Sequence, residues 1–137
     1  MKTRMGMVTC TVIIALVACS LLTGCKGGES KRAEVGFHVQ GVRLAIDRVK
    51  KEAARNPRDT YGMRIATDGL SRALEGLPER IEKKASSRVQ ERKAAAEEAI
   101  KLFEKLKPTL EGLQFDQAKV EAEFAELNKL LDEVEKP

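Results

Sequence analysis

The sequence contains no tryptophan, one histidine and one tyrosine in 137 residues, and aromatic residues make up only 4% of it. So few aromatic faces argue against a groove that stacks nucleic-acid bases, and no nucleic-acid partner is expected. A single histidine, His38, excludes the paired Glu-x-x-His motifs of a di-iron bundle. Cys-x-x-Cys-His, the attachment motif of a c-type haem, is missing, and so is any phosphate-binding loop. A b-type haem is also unsupported. His38 and Met63 would stand at opposite ends of two antiparallel helices, roughly 25 Å apart at 1.5 Å rise per residue. No Ser, Cys or Lys stands in a recognisable nucleophile setting. Glu97-Glu98 and the set Glu121, Glu123 and Glu126 read as solvated helix faces rather than catalytic carboxylate pairs. The expectation is a non-enzyme without metal or cofactor. No alternating β-branched run is long enough to propose a strand.

Three cysteines are present, Cys10, Cys19 and Cys25, and the first two lie in the apolar leader. There, Lys2 and Arg4 precede a nearly unbroken apolar run from Met5 to Leu22. This is the anatomy of a secretory signal rather than of a stable transmembrane helix. The run ends in Leu22-Thr23-Gly24-Cys25, which resembles the lipobox of bacterial lipoprotein precursors. The resemblance covers residues 1–25 only. It implies a diacylglycerol thioether on Cys25, cleavage before that residue, and acylation of the new amino terminus by a fatty acid such as palmitate. Leu16-Val17-Ala18-Cys19 also fits the pattern. Cys25 is preferred because the polar, glycine-rich Lys26-Gly27-Gly28-Glu29-Ser30 follows it, whereas cleavage at Cys19 would leave Leu21 and Leu22 exposed.

The expected organisation is therefore a signal peptide over 1–24, a lipidated cysteine with a flexible tether over 25–33, and a helical domain over 34–137. The expected location is the bacterial cell envelope. The chain would be lipid-anchored to a membrane with its domain outside the cytoplasm, on the periplasmic side in a cell with two membranes. Cys25 would be the only cysteine of the mature chain, so no internal disulfide can form.

The domain is rich in Ala, Leu, Glu, Lys and Arg, a composition that favours helices. Val35, Val39, Val42, Ile46, Val49 and Ala53 are spaced 4, 3, 4, 3, 4 and predict one buried stripe, which Phe37 and Leu44 are expected to widen. Asn56-Pro57 ends this helix. A second helix is capped by Asp59 or Thr60, carries Met63, Ala66, Leu70, Ala73 and Leu77, and closes at Gly76-Leu77-Pro78. A third is expected from Pro78 to Lys107, with Ile81, Ala85 and Val89 as a thin apolar stripe in its first half, where Glu82 and Arg92 interrupt it. Pro108 and Gly112 mark a turn. The last helix is capped by Asp116, stapled by Phe115 on Val120, and carries Val120, Phe124, Leu127, Leu131 and Val134. The fold expected is an all-α up-and-down bundle of four helices, with three as the fallback if Pro78 to Glu135 is one kinked helix.

Charge is uneven along the chain. Residues 26–58 hold nine basic and four acidic groups, net +5, whereas 104–137 hold five and nine, net −4. In an up-and-down bundle these helices are neighbours and attract across their seam; the basic helix could also lie near anionic lipid.

Two functions follow as expectations. The first is a non-enzymatic structural or interaction protein held on a membrane through its lipid anchor. It would contact another envelope protein, or itself as an oligomeric coiled coil, through the underfilled stretch Pro78–Ala95. It resembles the major murein-linked lipoproteins in being helical and lipidated, but Pro137 follows Lys136, so their lysine linkage is not carried over. The second is a small-ligand-binding bundle, with Ala95, Ala96 and Ala99 leaving room between helices.

Overall fold

Apolar residues at helical spacing have to be buried together, and in this chain they close on a single core. The computed structural model describes residues 26–55, 57–112 and 114–137, with side chains described from Val35 onward. Cys25 and the lipobox residues Leu22, Thr23 and Gly24 lie outside the described residues, as does the whole of the expected signal peptide. Five helices are present: α1 (Lys26–Ala53), α2 (Thr60–Glu75), α3 (Leu77–Lys84), α4 (Val89–Glu111) and α5 (Gln117–Glu135). No strand occurs among the described residues. Lys31–Pro137 form one compact unit that holds the whole described core, from Val35 to Val134, and so carries what it needs to fold.

The fold is an all-α helical bundle, and its four arms come from a different division of the chain than the sequence suggests. The second arm does not stop at Gly76. Gly76 has helical angles, φ −75° and ψ −16°, donates to the Arg72 carbonyl, and accepts from the Arg80 amide at 3.4 Å. Pro78 falls in the first turn of α3, where its missing N–H is no loss. The arm therefore continues to Lys84, and the reversal comes at Ala85–Arg88. There Arg88 has φ 49°, the left-handed region that turns the chain without a glycine. The expected third helix from Pro78 to Lys107 is thus two elements belonging to different arms.

This division corrects the thin stripe. Leu77 and Ile81 are fully buried as the end of the second arm, and Ala85 and Val89 pack against the core at the turn. Leu74, not Ala73, carries the stripe of α2, because Met63, Ala66, Leu70, Leu74 and Leu77 share one face while Ala73 is only half-buried. At the other end, α4 continues through Pro108 to Glu111, which places Leu110 fully in the core. Gly112 then ends it, and Asp116 caps α5 by accepting from the Ala118 and Lys119 amides, so α4 and α5 are separate helices.

At the start of the chain, helical backbone takes in Lys26 onward, the stretch expected as a flexible tether. Gly27 and Gly28 each weaken a helix by about 1 kcal/mol relative to Ala. The six residues that follow contain no proline and are mostly good helix formers, so the helix propagates through them.

Arms adjacent in sequence pack antiparallel, and the ring closes between α1 and α5. Arg43 Nη2 lies 2.6 Å from Asp132 and 3.0 Å from Glu135, while Lys50 lies 3.3 Å from Glu121 and 5.5 Å above the Phe124 ring. Burial alone would lower the Arg43 pKa, but its hydrogen bonds to Asp132 and Glu135 outweigh this and raise it. The attraction expected from the charge distribution is therefore formed, although such half-exposed pairs stabilise by about 1 kcal/mol or less each.

Candidate functional site

Most residues that sequence inspection raised as site candidates have structural work. Ala96 and Ala99 are completely buried in the core, so the small side chains of α4 serve close helix packing rather than an internal ligand cavity. Glu121 pairs with Lys50, and Glu126 with Lys129. Glu97 and Glu98 lie exposed along α4 beside Lys101 and Lys105. Among the described residues no three His, Cys, Asp or Glu side chains come together in a way that could hold a metal ion. Also among them, no helix is long and apolar enough to cross a membrane.

What the sequence did not bring out is a groove on the outer surface between α1 and the second arm. Phe37 and Leu44, expected to broaden the core stripe, do the opposite. They are 71% and 70% exposed. At 100° per residue, Leu44 falls almost diametrically opposite Ile46, so periodicity alone could have placed it outside. With Gly41 between them they form one wall of a surface groove of about 320 Å³, and Arg72, Ala73, Gly76 and Arg80 form the other. His38 sits half-buried at its edge. Its Nε2 lies 3.0 Å from Arg80 Nη1, and its ring meets Phe37 edge-on with centroids 5.8 Å apart. No carboxylate lines the groove among the described residues. Arg72 attracts the Asp68 carboxylate, which lies outside the groove's lining.

The groove continues a wider asymmetry. The exposed large hydrophobic residues are Phe37, Leu44, Tyr61 and Ile65, all on α1 and α2 and none on α4 or α5 among the described residues. On α1 they run Phe37, Gly41, Leu44, and on α2 Tyr61, Ile65, Gly69, Arg72, so each set is one surface strip at helical spacing. Charge follows the same division. Residues 35–84 carry eleven basic and seven acidic groups, net +4, and residues 89–137 carry eight and twelve, net −4. Gly41 and Gly69, both helical, would place a Cβ in open space. Nothing inside the domain requires them to be glycine.

Comparison with known proteins finds no matching family model, no similar curated protein and no similar solved structure.

Proposed function

We propose that this chain is a lipid-anchored protein of the bacterial cell envelope with a non-enzymatic role, acting through contacts made by its helical surfaces. The observation that carries the reading is the run Leu22-Thr23-Gly24-Cys25 directly after a basic start and an apolar leader. Lipid on Cys25, of about 0.8 kcal/mol per buried methylene and two or three chains, would make attachment effectively permanent.

The contact surface we propose differs from the one the sequence pattern suggests. The sequence pattern points to Pro78–Ala95 because that stretch reads as underfilled. With Leu77 and Ile81 in the core and Arg92 buried, that motive is gone, and the apolar and basic groove between α1 and the second arm takes its place. Metabolic labelling with palmitate tests the anchor. Label is expected in the intact chain and in Cys19→Ser, with an unlabelled, uncleaved precursor for Cys25→Ser. Label that survives Cys25→Ser and disappears in Cys19→Ser would move the anchor to the earlier cysteine, and no label in any form would end the lipoprotein reading.

A further inference from the structure

We infer that the outer face of α1 and α2 is a docking surface for an anionic lipid bilayer, so that the domain lies flat on its membrane instead of standing away from it. The inference builds on the lipid-anchor reading for its biological setting, but its evidence comes from the folded domain alone.

The composition of the face matches the bilayer interface. Phe37 and Leu44 project about seven-tenths exposed from α1, and Tyr61 and Ile65 from α2, which concentrates the large exposed apolar side chains on one side of the domain. Exposed apolar side chains gathered along two neighbouring helices mark a binding surface rather than ordinary solvent-facing chain. Arg72 and Arg80 line the same groove, whose lining holds no carboxylate; Asp68 attracts Arg72 and Glu79 attracts Arg80 from outside it. Long cationic side chains above apolar ones reproduce the layering of phosphate over acyl chain, as in interfacial helices.

Charge complementarity selects the lipid over a second copy of this chain. A twofold pairing of the face would set one arginine-bearing surface against another. Pairing it with the acidic α4 and α5 side of another copy would join unlike surfaces and propagate without closing. An anionic bilayer attracts the net +4 half and repels the net −4 half, so one field both draws the domain in and sets which side faces down. Gly41 and Gly69 fit the same arrangement. They lie within the two apolar strips, leave the helix backbone uncovered, and have no neighbour inside the domain within 4 Å of a would-be Cβ.

Cys25 is ten residues before Val35. Even fully extended, those residues span at most about 36 Å. A lipid on Cys25 would therefore keep the face within one domain's breadth of the headgroups at all times.

The experiment uses the Lys31–Pro137 unit, which contains the whole described core, without any lipid. Co-sedimentation is measured with vesicles of phosphatidylcholine and with vesicles containing three parts phosphatidylglycerol to seven of phosphatidylcholine. Binding to the anionic vesicles and not the neutral ones is expected. Each arginine near the surface contributes about fivefold, so the double variant Arg72→Gln with Arg80→Gln should bind on the order of 25-fold more weakly. Phe37→Ser with Leu44→Ser should also lose binding, while Lys101→Gln with Lys105→Gln, the same charge change on α4, should leave it unaltered. Tyr61 is the one tyrosine in a chain without tryptophan, so quenching of its fluorescence by brominated phosphatidylglycerol reports whether α2 touches the bilayer.

Equal loss in both arginine and lysine pairs, or no binding to anionic vesicles, would overturn the inference. A dimer in sedimentation velocity that Phe37→Ser with Leu44→Ser dissolves would also overturn it and give the face to a second copy. None of these outcomes touches the palmitate experiment, so docking and anchoring fail separately.

Discussion

Arg92 begins on α4 and donates its Nε–H to the carbonyl of Val134 in the last turn of α5, across 2.7 Å. The final carbonyls of a helix have no partner within it, and a cationic donor there satisfies both the open acceptor and the negative end of the helix dipole. Arg92 is 3% exposed, so this charge is held inside the bundle by a neighbouring helix's end. Its Nη1 also lies 3.5 Å from the Ser87 carbonyl, which ties the unusual turn before α4 to the end of α5.

Arg92→Ala is accordingly expected to destabilise the domain by about 2–4 kcal/mol, through a buried acceptor left open and a lost aliphatic stem. Urea unfolding followed by circular dichroism measures this directly. A loss below about 1 kcal/mol would mean that water replaces the guanidinium at no real cost.

Thr67 is the other buried polar side chain among the described residues, and its hydroxyl lies 2.8 Å from Glu111 Oε1 and 3.0 Å from the Arg64 carbonyl. It joins α2 to the end of α4 at one axial position in a core otherwise made of aliphatic and aromatic groups that could slide. Thr67→Val keeps the shape and removes the donor, and should cost about 1 kcal/mol. The midpoint of urea unfolding should fall with its slope unchanged; a stabilised variant would show that Glu111 needs no partner from α2.

How far the chain could be read in advance depended on whether a local rule met competition. The stripes of α1 and α5 were legible because Val35 to Ala53 and Val120 to Val134 repeat at helical spacing with clear polar gaps, and every one of these residues is buried. The central turn was not. Gly76 and Pro78 carry the strongest turn signals in that region, yet both are compatible with a helix at those positions, and burial of Leu77 and Ile81 decides for continuation. The actual turn, Ala85-Ser86-Ser87-Arg88, contains neither Gly nor Pro, and its left-handed residue is an arginine. The groove was missed for a related reason. Hydrophobicity assigns Phe37 and Leu44 inward, although their angular position points outward.

Asp68 and Lys107 make a 2.6 Å contact between α2 and α4. The hydrogen bond from Lys107 holds the Asp68 carboxyl below the usual carboxylate range; burial opposes it, and charge attraction from Lys107, Arg64 and Arg72 adds to it. The unfolded value lies near about 3.9. Stability from this pair is thus fully present above that pH and disappears as pH falls through the lower folded value. Asp68→Asn should lower the melting temperature at pH 7 and leave it unaltered at pH 2. An equal offset at both values would show that the aspartate acts by its shape and not by its charge.

Glycines separate into two kinds in this domain. Gly41→Ala and Gly69→Ala place a methyl group in open space on helical backbone, and each should stabilise by about 0.5–1 kcal/mol. Gly62→Ala instead puts Cβ 2.8 Å from Asp59 Oδ2 and 2.9 Å from Glu52 Oε2. It should destabilise, or at best gain nothing, because the Asp59 cap of α2 has to move. Thermal melts of the three variants at one pH distinguish the two kinds, and a uniform gain would show that Asp59 and Glu52 give way freely.

The seam between α1 and α5 differs from the other three in its loop. Its side-chain contacts join residues 71 to 92 positions apart, from Lys50 with Glu121 to Arg43 with Glu135, and a Cβ on Gly36 would lie 4.0 Å from Glu135 Oε1. The other seams close over short hairpins, whose search is brief, while this one has to wait until the intervening chain has shortened the distance. The three hairpin seams therefore form first, and the α1–α5 seam closes the cylinder late. Weakening Arg43 or its partners should then leave the folding limb of a chevron nearly flat to the change and steepen the loss on the unfolding side. The residues that shut the cylinder govern how long it stays shut, and have little say in how quickly it is made.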